Sequence, residues 1–178
     1  TMAPTTSFWD CGEYIATSRI LGVPHPPGSP LYLLLGNVFS NIPIFQDIGA
    51  RVNLISPIAS ALSVMFLYLI IVYLIEEYRG KTKSLSDIMI TYCSAFIGAL
   101  TFAVTDSHWF NAVEAEVYSV STFFTAIVAW MILKWSRDTN NSWNIKYLLT
   151  IVYMFGLAIG VHLLNLLTLP FVALIIYF

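Results

Sequence analysis

The sequence predicts an all-α fold, a polytopic transmembrane helix bundle. Apolar residues make up 58% of the 178 positions and charged residues only 10%. The mean hydropathy is +0.77, and uncharged runs about as long as a bilayer is thick alternate with short charged segments. A soluble globule of this length could not hide so much apolar surface. The net charge of −2 comes from few groups, and no basic patch marks a nucleic-acid surface. Cys11 and Cys93 are far apart, one in a polar segment and one in an apolar run, so neither a disulfide framework nor a zinc site is expected.

The first element is a polar segment, FWDCGEYIATSRILGVPHPPGSPLYLLLG, residues 8 to 36. Residues 30 to 45 follow on from it as a short run with Asn37, Asn41 and Pro43. This run could span, but its length and amphipathicity favour a helix lying in the membrane interface. Pro30 suits the first turn of such a helix. Crossing a core of ~30 Å takes about 20 apolar residues. Residues 52 to 75 meet this without a single charge, and the uncharged runs 88 to 105 and 117 to 133 are shorter spans. Residues 147 to 178 are also uncharged and too long for one crossing, so two helices with a corner near His162 to Pro170 are expected.

Charge sets the expected orientation. The loops 76 to 87 and 134 to 146 hold Arg79, Lys81, Lys83, Lys134, Arg137 and Lys146, whereas the other side keeps Arg19 and Arg51. The positive-inside rule makes those loops cytoplasmic. The sequon at Asn140 then lies on the cytoplasmic side and should be silent. Asp10, Glu13, Asp47, Asp106, Glu114 and Glu116 gather on the opposite face, which is the outline of a site. Neither loop has the composition of a linker, so residues 1–178 form part of one membrane domain. The chain opens on a polar segment and stops in an apolar run. It is expected to be the N-terminal part of a longer domain, with a first helix and a C-terminal remainder outside it.

Asp10 and Glu13 are three apart, a spacing that puts both carboxylates on one side of a helix. Such a pair can divide the work of a base from that of a charge or metal partner. A solvated capping pair is the competing explanation, and flanking Phe8, Trp9 and Tyr14 tilt the balance toward a site at the lipid headgroups. His25 stands in Pro24-His25-Pro26-Pro27, where the prolines hold the backbone extended and could aim the imidazole at a phosphate or hydroxyl. A plain helix boundary explains this segment equally well. Glu114 and Glu116 add two acids at the outer end of an apolar helix, as functional groups or as a solvated edge. His162, with Asn165 beside it, needs a polar partner in its apolar run, either a neighbouring helix or a ligand phosphate. Gly156 and Gly160 are expected to serve helix packing.

Four segments in order, W-D-x-x-E with HPPG, RVNLISPIASAL, TDSHWFNAVEAEVYSVSTFFTA and GLAIGVHLLNLLTLP, resemble a membrane-domain family. That family was first catalogued as a bacterial domain of unknown function and is related to the transmembrane protein 260 O-mannosyltransferases. Its broader plan is similar to the C-type glycosyltransferase superfamily, whose first extracytoplasmic loop carries an acidic motif, a (H/K)PP segment and interfacial helices. The resemblance implies Asp10 as general base with Glu13 beside it. His25, Arg51, Glu114, Glu116 and His162 are implied as substrate-binding residues, with cations on the lipid phosphate. The sequence departs from the O-mannosyltransferase pattern in that Cys11 and Gly12 separate the two acids. No metal ligand is assigned, though a divalent metal is compatible with the acids.

What the resemblance implies is transfer of a hexose, mannose being the first choice, from a polyprenyl-phosphate carrier to a protein Ser/Thr or glycan hydroxyl. The expected location is the bacterial inner membrane, with the site facing the periplasm. The rival functions are a membrane transporter, in which the acids bind a cation, and a non-catalytic lipid-binding subunit.

Overall fold

A computed structural model describes residues 2–80, 84–137 and 142–178. Lys81, Lys83 and the sequon residue Asn140 lie outside the described residues. Among those described there are nine α-helices, two 3-10 turns and no strand. In chain order the helices are α1 (Cys11–Ile20), α2 (Pro30–Asn41), α3 (Ile48–Asn53), α4 (Ile55–Arg79), α5 (Leu85–Ala103), α6 (Asp106–Ala112), α7 (Val117–Ser136), α8 (Ile145–Ile159) and α9 (Leu169–Tyr177).

Helices α4, α5 and α7 are long and apolar enough to cross a membrane. They match the runs expected at 52–75, 88–105 and 117–133. Pro57 falls in the first turn of α4, where a missing amide and a fixed φ do no harm. Ser84 and Asp87 start α5 with a reciprocal capping box: Ser84 Oγ accepts from the Asp87 amide at 3.1 Å, and the Ser84 amide donates to Asp87 Oδ2 at 3.2 Å. Large apolar side chains such as Met89, Phe96, Ile97, Leu149 and Val152 are exposed, an outward-facing surface suited to lipid rather than water.

α2 has 12 residues, about 18 Å at 1.5 Å per residue, which is too short to span. It ends at Asn41 because Ile42 precedes Pro43 and takes an extended conformation. One face, with Tyr32, Leu33, Gly36 and Ser40, is buried. Gly36 is required there, since a Cβ would run into the side chain of Ser18 on α1. Asn37 Nδ2 donates to the Ser18 and Arg19 carbonyls at 2.9 and 3.2 Å, closing the end of α1.

The long apolar tail breaks as expected. α8 ends at Ile159, a 3-10 turn runs over Leu163–Thr168, and α9 follows with Pro170 in its first turn. Gly160 sits against Leu31 and its carbonyl accepts the Leu31 amide at 2.8 Å, joining the corner to α2. Gly156 differs from the packing expectation, because a Cβ there would meet nothing within 4 Å. The corner is pinned by Asn165, which is 2% exposed. Its Nδ2 donates to the Ala158 and His162 carbonyls at 3.0 and 2.9 Å, and its Oδ1 accepts from Ser121 and Thr125 of α7 at 3.1 and 3.4 Å.

Asn53, fully buried at the α3–α4 junction, does the same for the opposite group of segments. Its Nδ2 donates to the Ala3 and Thr5 carbonyls, both at 2.9 Å. Its Oδ1 accepts from the Ala115 amide at 2.9 Å and from Cys11 Sγ at 3.6 Å. The chain start, α1, α4 and the loop before α7 are thereby held at one end of the bundle. The charges at the other end are Arg79 with Asp87 at 3.8 Å, and Arg137 with Glu76 and Glu77 at 3.6 Å each.

Replacing Asn53 by Ala strands the buried Ala115 amide and two carbonyls. The full-length protein should lose at least ~3 kcal/mol of stability, seen as a lower unfolding midpoint in detergent. Protease should then cut the segment before α1 first. An unchanged midpoint would remove Asn53 from this role.

Candidate functional site

Asp10 occupies the N-cap position of α1 but makes no capping hydrogen bond with its side chain. A capping role therefore does not account for its carboxylate, which stays about half exposed. Glu13, one turn on, points to the loop before α2. There His25, Pro26, Pro27 and Gly28 form a turn closed by the Gly28 amide on the His25 carbonyl at 3.0 Å, so the expected extended run is bent instead. Gly28 takes φ +77°, a left-handed conformation that costs glycine little.

The turn delivers His25 to the acids. Glu13 Oε1 accepts the His25 backbone amide at 2.7 Å and Oε2 bonds to the ring Nδ1 at 2.8 Å. The other ring nitrogen, Nε2, faces Asp10 Oδ2 at 3.9 Å. Tyr14 supports the imidazole edge-on at 6.0 Å. The Glu13 hydrogen bond holds His25 above the ordinary imidazole value, against the opposing effect of burial, with the Glu13, Asp10 and Glu116 charges adding to the rise. The same bonds hold Glu13 below the usual carboxylate range.

Glu114 and Glu116 are not a solvated edge. They are 1% and 5% exposed, in the loop between α6 and α7. Neither carboxylate oxygen of Glu114 has a hydrogen-bond partner among the described residues. Glu116 is pushed up to about 7, first by burial and then by the Asp10 and Glu114 charges, while the amides of Val117 and Asp10 pull the other way. Asp10, Glu114 and Glu116 share a cavity of about 240 Å³ with Trp9, Phe110, Asn111 and Tyr118.

His25 thus adjoins this cavity through Asp10. His162 reaches its rim less directly: its ring packs on Tyr118 with centroids 5.5 Å apart, and its Nδ1 accepts the Leu164 amide at 3.1 Å. Burial lowers its pKa, so it is mainly neutral at pH 7. Arg51 is directed elsewhere. Its guanidinium binds the Phe45, Ser40 and Gln46 carbonyls at 2.6, 3.0 and 3.3 Å, fastening the α2–α3 connection. The residue missed in the sequence is Asn53, which carries Ala115 and hence the Glu114–Glu116 loop. The signal was available, because an asparagine next to a long apolar span needs partners as much as His162 does.

Asp10, Glu13 and His25 offer atoms within 4.8 Å of one another, close enough for one cation. The donor set does not favour one, since Glu13 already spends both oxygens on His25 and holds its Nδ1. The three groups form one hydrogen-bonded and electrostatic cluster, with the His25 ring between the Glu13 and Asp10 carboxyl groups.

Together these features define a helical membrane protein in which Asp10, Glu13, His25, Glu114 and Glu116 converge at one end of the bundle. Residues 10–178 match the family described as the protein O-mannosyl-transferase TMEM260 N-terminal domain, and the chain belongs to that family. It is 26% identical to the Dictyostelium discoideum protein O-mannosyl-transferase tmem260 over 183 residues, 96% of this chain and 21% of the relative. It is also 25% identical to the Mus musculus protein O-mannosyl-transferase TMEM260 over 130 residues, 73% of this chain and 16% of that protein. The chain thus spans about a fifth of these curated relatives. No solved structure matches.

Two titrations follow. In NMR spectra His25 should titrate above the ordinary imidazole value, and Glu13→Gln should bring it down; a His25 unaffected by that change would break the pairing. Glu116, raised to about 7, favours the folded state most when protonated. Its contribution is complete below the usual carboxylate range and is lost as pH climbs through 7, on the order of 3 kcal/mol in total. Glu116→Gln should flatten that part of the stability–pH curve in thermal unfolding, and an unchanged slope would contradict the assignment.

Proposed function

We propose that this chain is the N-terminal part of a membrane glycosyltransferase, one that moves a hexose from a polyprenyl-phosphate carrier to an acceptor hydroxyl. Mannose is the first choice of sugar, and a protein Ser/Thr or a glycan hydroxyl is the acceptor. The carrying observation is an exposed carboxylate, Asp10, that has no structural duty as a cap and stands between an ion-paired histidine and an acid-lined cavity. Membership of a family whose relatives are named protein O-mannosyl-transferases supports the same reaction.

The positive-inside rule supports placing the site on the extracytoplasmic face, because Arg79, Lys134, Arg137 and Lys146 belong to the opposite end. In a bacterial inner membrane that face is the periplasm. A lipid donor suits the geometry, as its isoprenoid tail stays in the bilayer while the sugar phosphate reaches α1 and the loop before α7.

In the reaction the acceptor oxygen attacks the anomeric carbon, and Asp10 takes its proton. The bond from that carbon to the phosphate oxygen breaks on the opposite face, and the lipid phosphate leaves with the electron pair. Configuration inverts. His25, whose pKa is raised by its hydrogen bond to Glu13, supplies positive charge in its protonated form where the phosphate charge develops. Arg51 contributes indirectly by fixing α2 against α3. The transporter alternative is disfavoured because the buried acids sit in the loop before α7, not midway along a span.

General-base help is worth about 100-fold to 10,000-fold. Asp10→Asn in the full-length protein should therefore cut transfer from labelled polyprenyl-phosphate mannose by that factor and leave membrane insertion intact. Normal turnover in this variant would sink the mechanism.

A further inference from the structure

The Glu114 carboxylate is the least explained group in the molecule. It is 1% exposed, neither oxygen has a partner among the described residues, and no cation lies in the cavity wall it shares with Asp10 and Glu116. A buried carboxylate in that position needs hydrogen-bond donors that the described residues do not supply. The rest of the wall narrows what can bring them. Trp9, Phe110 and Tyr118 supply aromatic faces, and the cavity of about 240 Å³ suits one small ring rather than a drug-sized ligand. Trp9 itself is 82% exposed and held at φ +56°, a left-handed conformation that a bulky residue adopts only when its surroundings impose it.

From these features we infer that the cavity between Trp9, Tyr118 and the Glu114–Glu116 pair holds the hexose ring of the donor, with Glu114 accepting its hydroxyl protons and Trp9 covering an apolar ring face. Among the described residues no cationic side chain lines the cavity, which disfavours the phosphate there, so the donor is divided: the neutral, hydroxyl-rich ring goes inside and the phosphate stays outward, toward His25. Glu116, pushed up to about 7, can donate as well as accept beside Glu114. The origin of the ring in a lipid donor rests on the transferase reading, whereas binding of a hexose by these residues does not.

The test uses the full-length protein in detergent. Saturation-transfer NMR with D-mannose, D-glucose and D-galactose should show one hexose preferred. Its binding should weaken at least ~10-fold, equivalent to 1.4 kcal/mol, in Glu114→Gln and in Trp9→Ala. The second variant alters an exposed side chain and guards against a folding defect in the first. The same variants should bind polyprenyl-phosphate mannose at least ~10-fold more weakly and sugar-free polyprenyl phosphate as well as the unaltered protein does. The assignment falls if no hexose binds, if both variants bind hexose normally, if sugar-bearing and sugar-free lipids weaken alike, or if magnesium ion alone competes hexose out. An unaltered protein that binds hexose in this cavity but transfers none would instead overturn the transferase reading and leave the sugar site standing.

Discussion

Four hydrogen bonds to one side chain organise the functional end of this molecule. Asn53 has two donors and two acceptor lone pairs, and all four are used, by the Ala3 and Thr5 carbonyls, the Ala115 amide and the Cys11 thiol. No apolar residue could replace it, since each partner is a polar group brought together in a water-free interior. The chain start, α1 and the Glu114–Glu116 loop converge because this amide stands at the head of α4. Asn165 fills the matching role at the α8 corner, again with four partners.

That framework explains how the site tolerates its charges. Two nearly buried glutamates next to Asp10 would repel one another if all were ionised, and the rise of Glu116 to about 7 relieves part of the repulsion. On the exposed side His25 is fixed by two hydrogen bonds to Glu13, its backbone amide and ring Nδ1 each meeting one carboxylate oxygen. The desolvated acids thus lie inside and the imidazole, with its raised pKa, lies outside.

Much of the fold was legible in the sequence. The uncharged runs that became α4, α5 and α7 are bounded by charge at the other end of the bundle, and the break in the final apolar stretch follows from its length. The stub α2 follows from its shortness, its asparagines and Pro43. The site was legible only in outline. D-x-x-E suggested a pair on one helix face, yet the partner of Glu13 is His25, delivered by a turn that the prolines alone did not announce. The resemblance implied Arg51 as a phosphate ligand, and its guanidinium instead fastens three carbonyls. Glu114 was open to either a functional group or a solvated edge, and it is buried.

The sequence by itself determined which segments are apolar enough to leave water, where the long helices lie to within a few residues, and which ionisable groups fall in the segments between them. These outcomes depend on composition and short-range spacing, which a linear reading captures. Only the tertiary structure decided that residues 10, 25, 53, 114 and 116 meet, which acid is desolvated, and which cation remains available. Burial and hydrogen bonding are set by neighbours distant in the chain: Asn53 reaches Ala115 across 62 positions, and no local pattern records that contact.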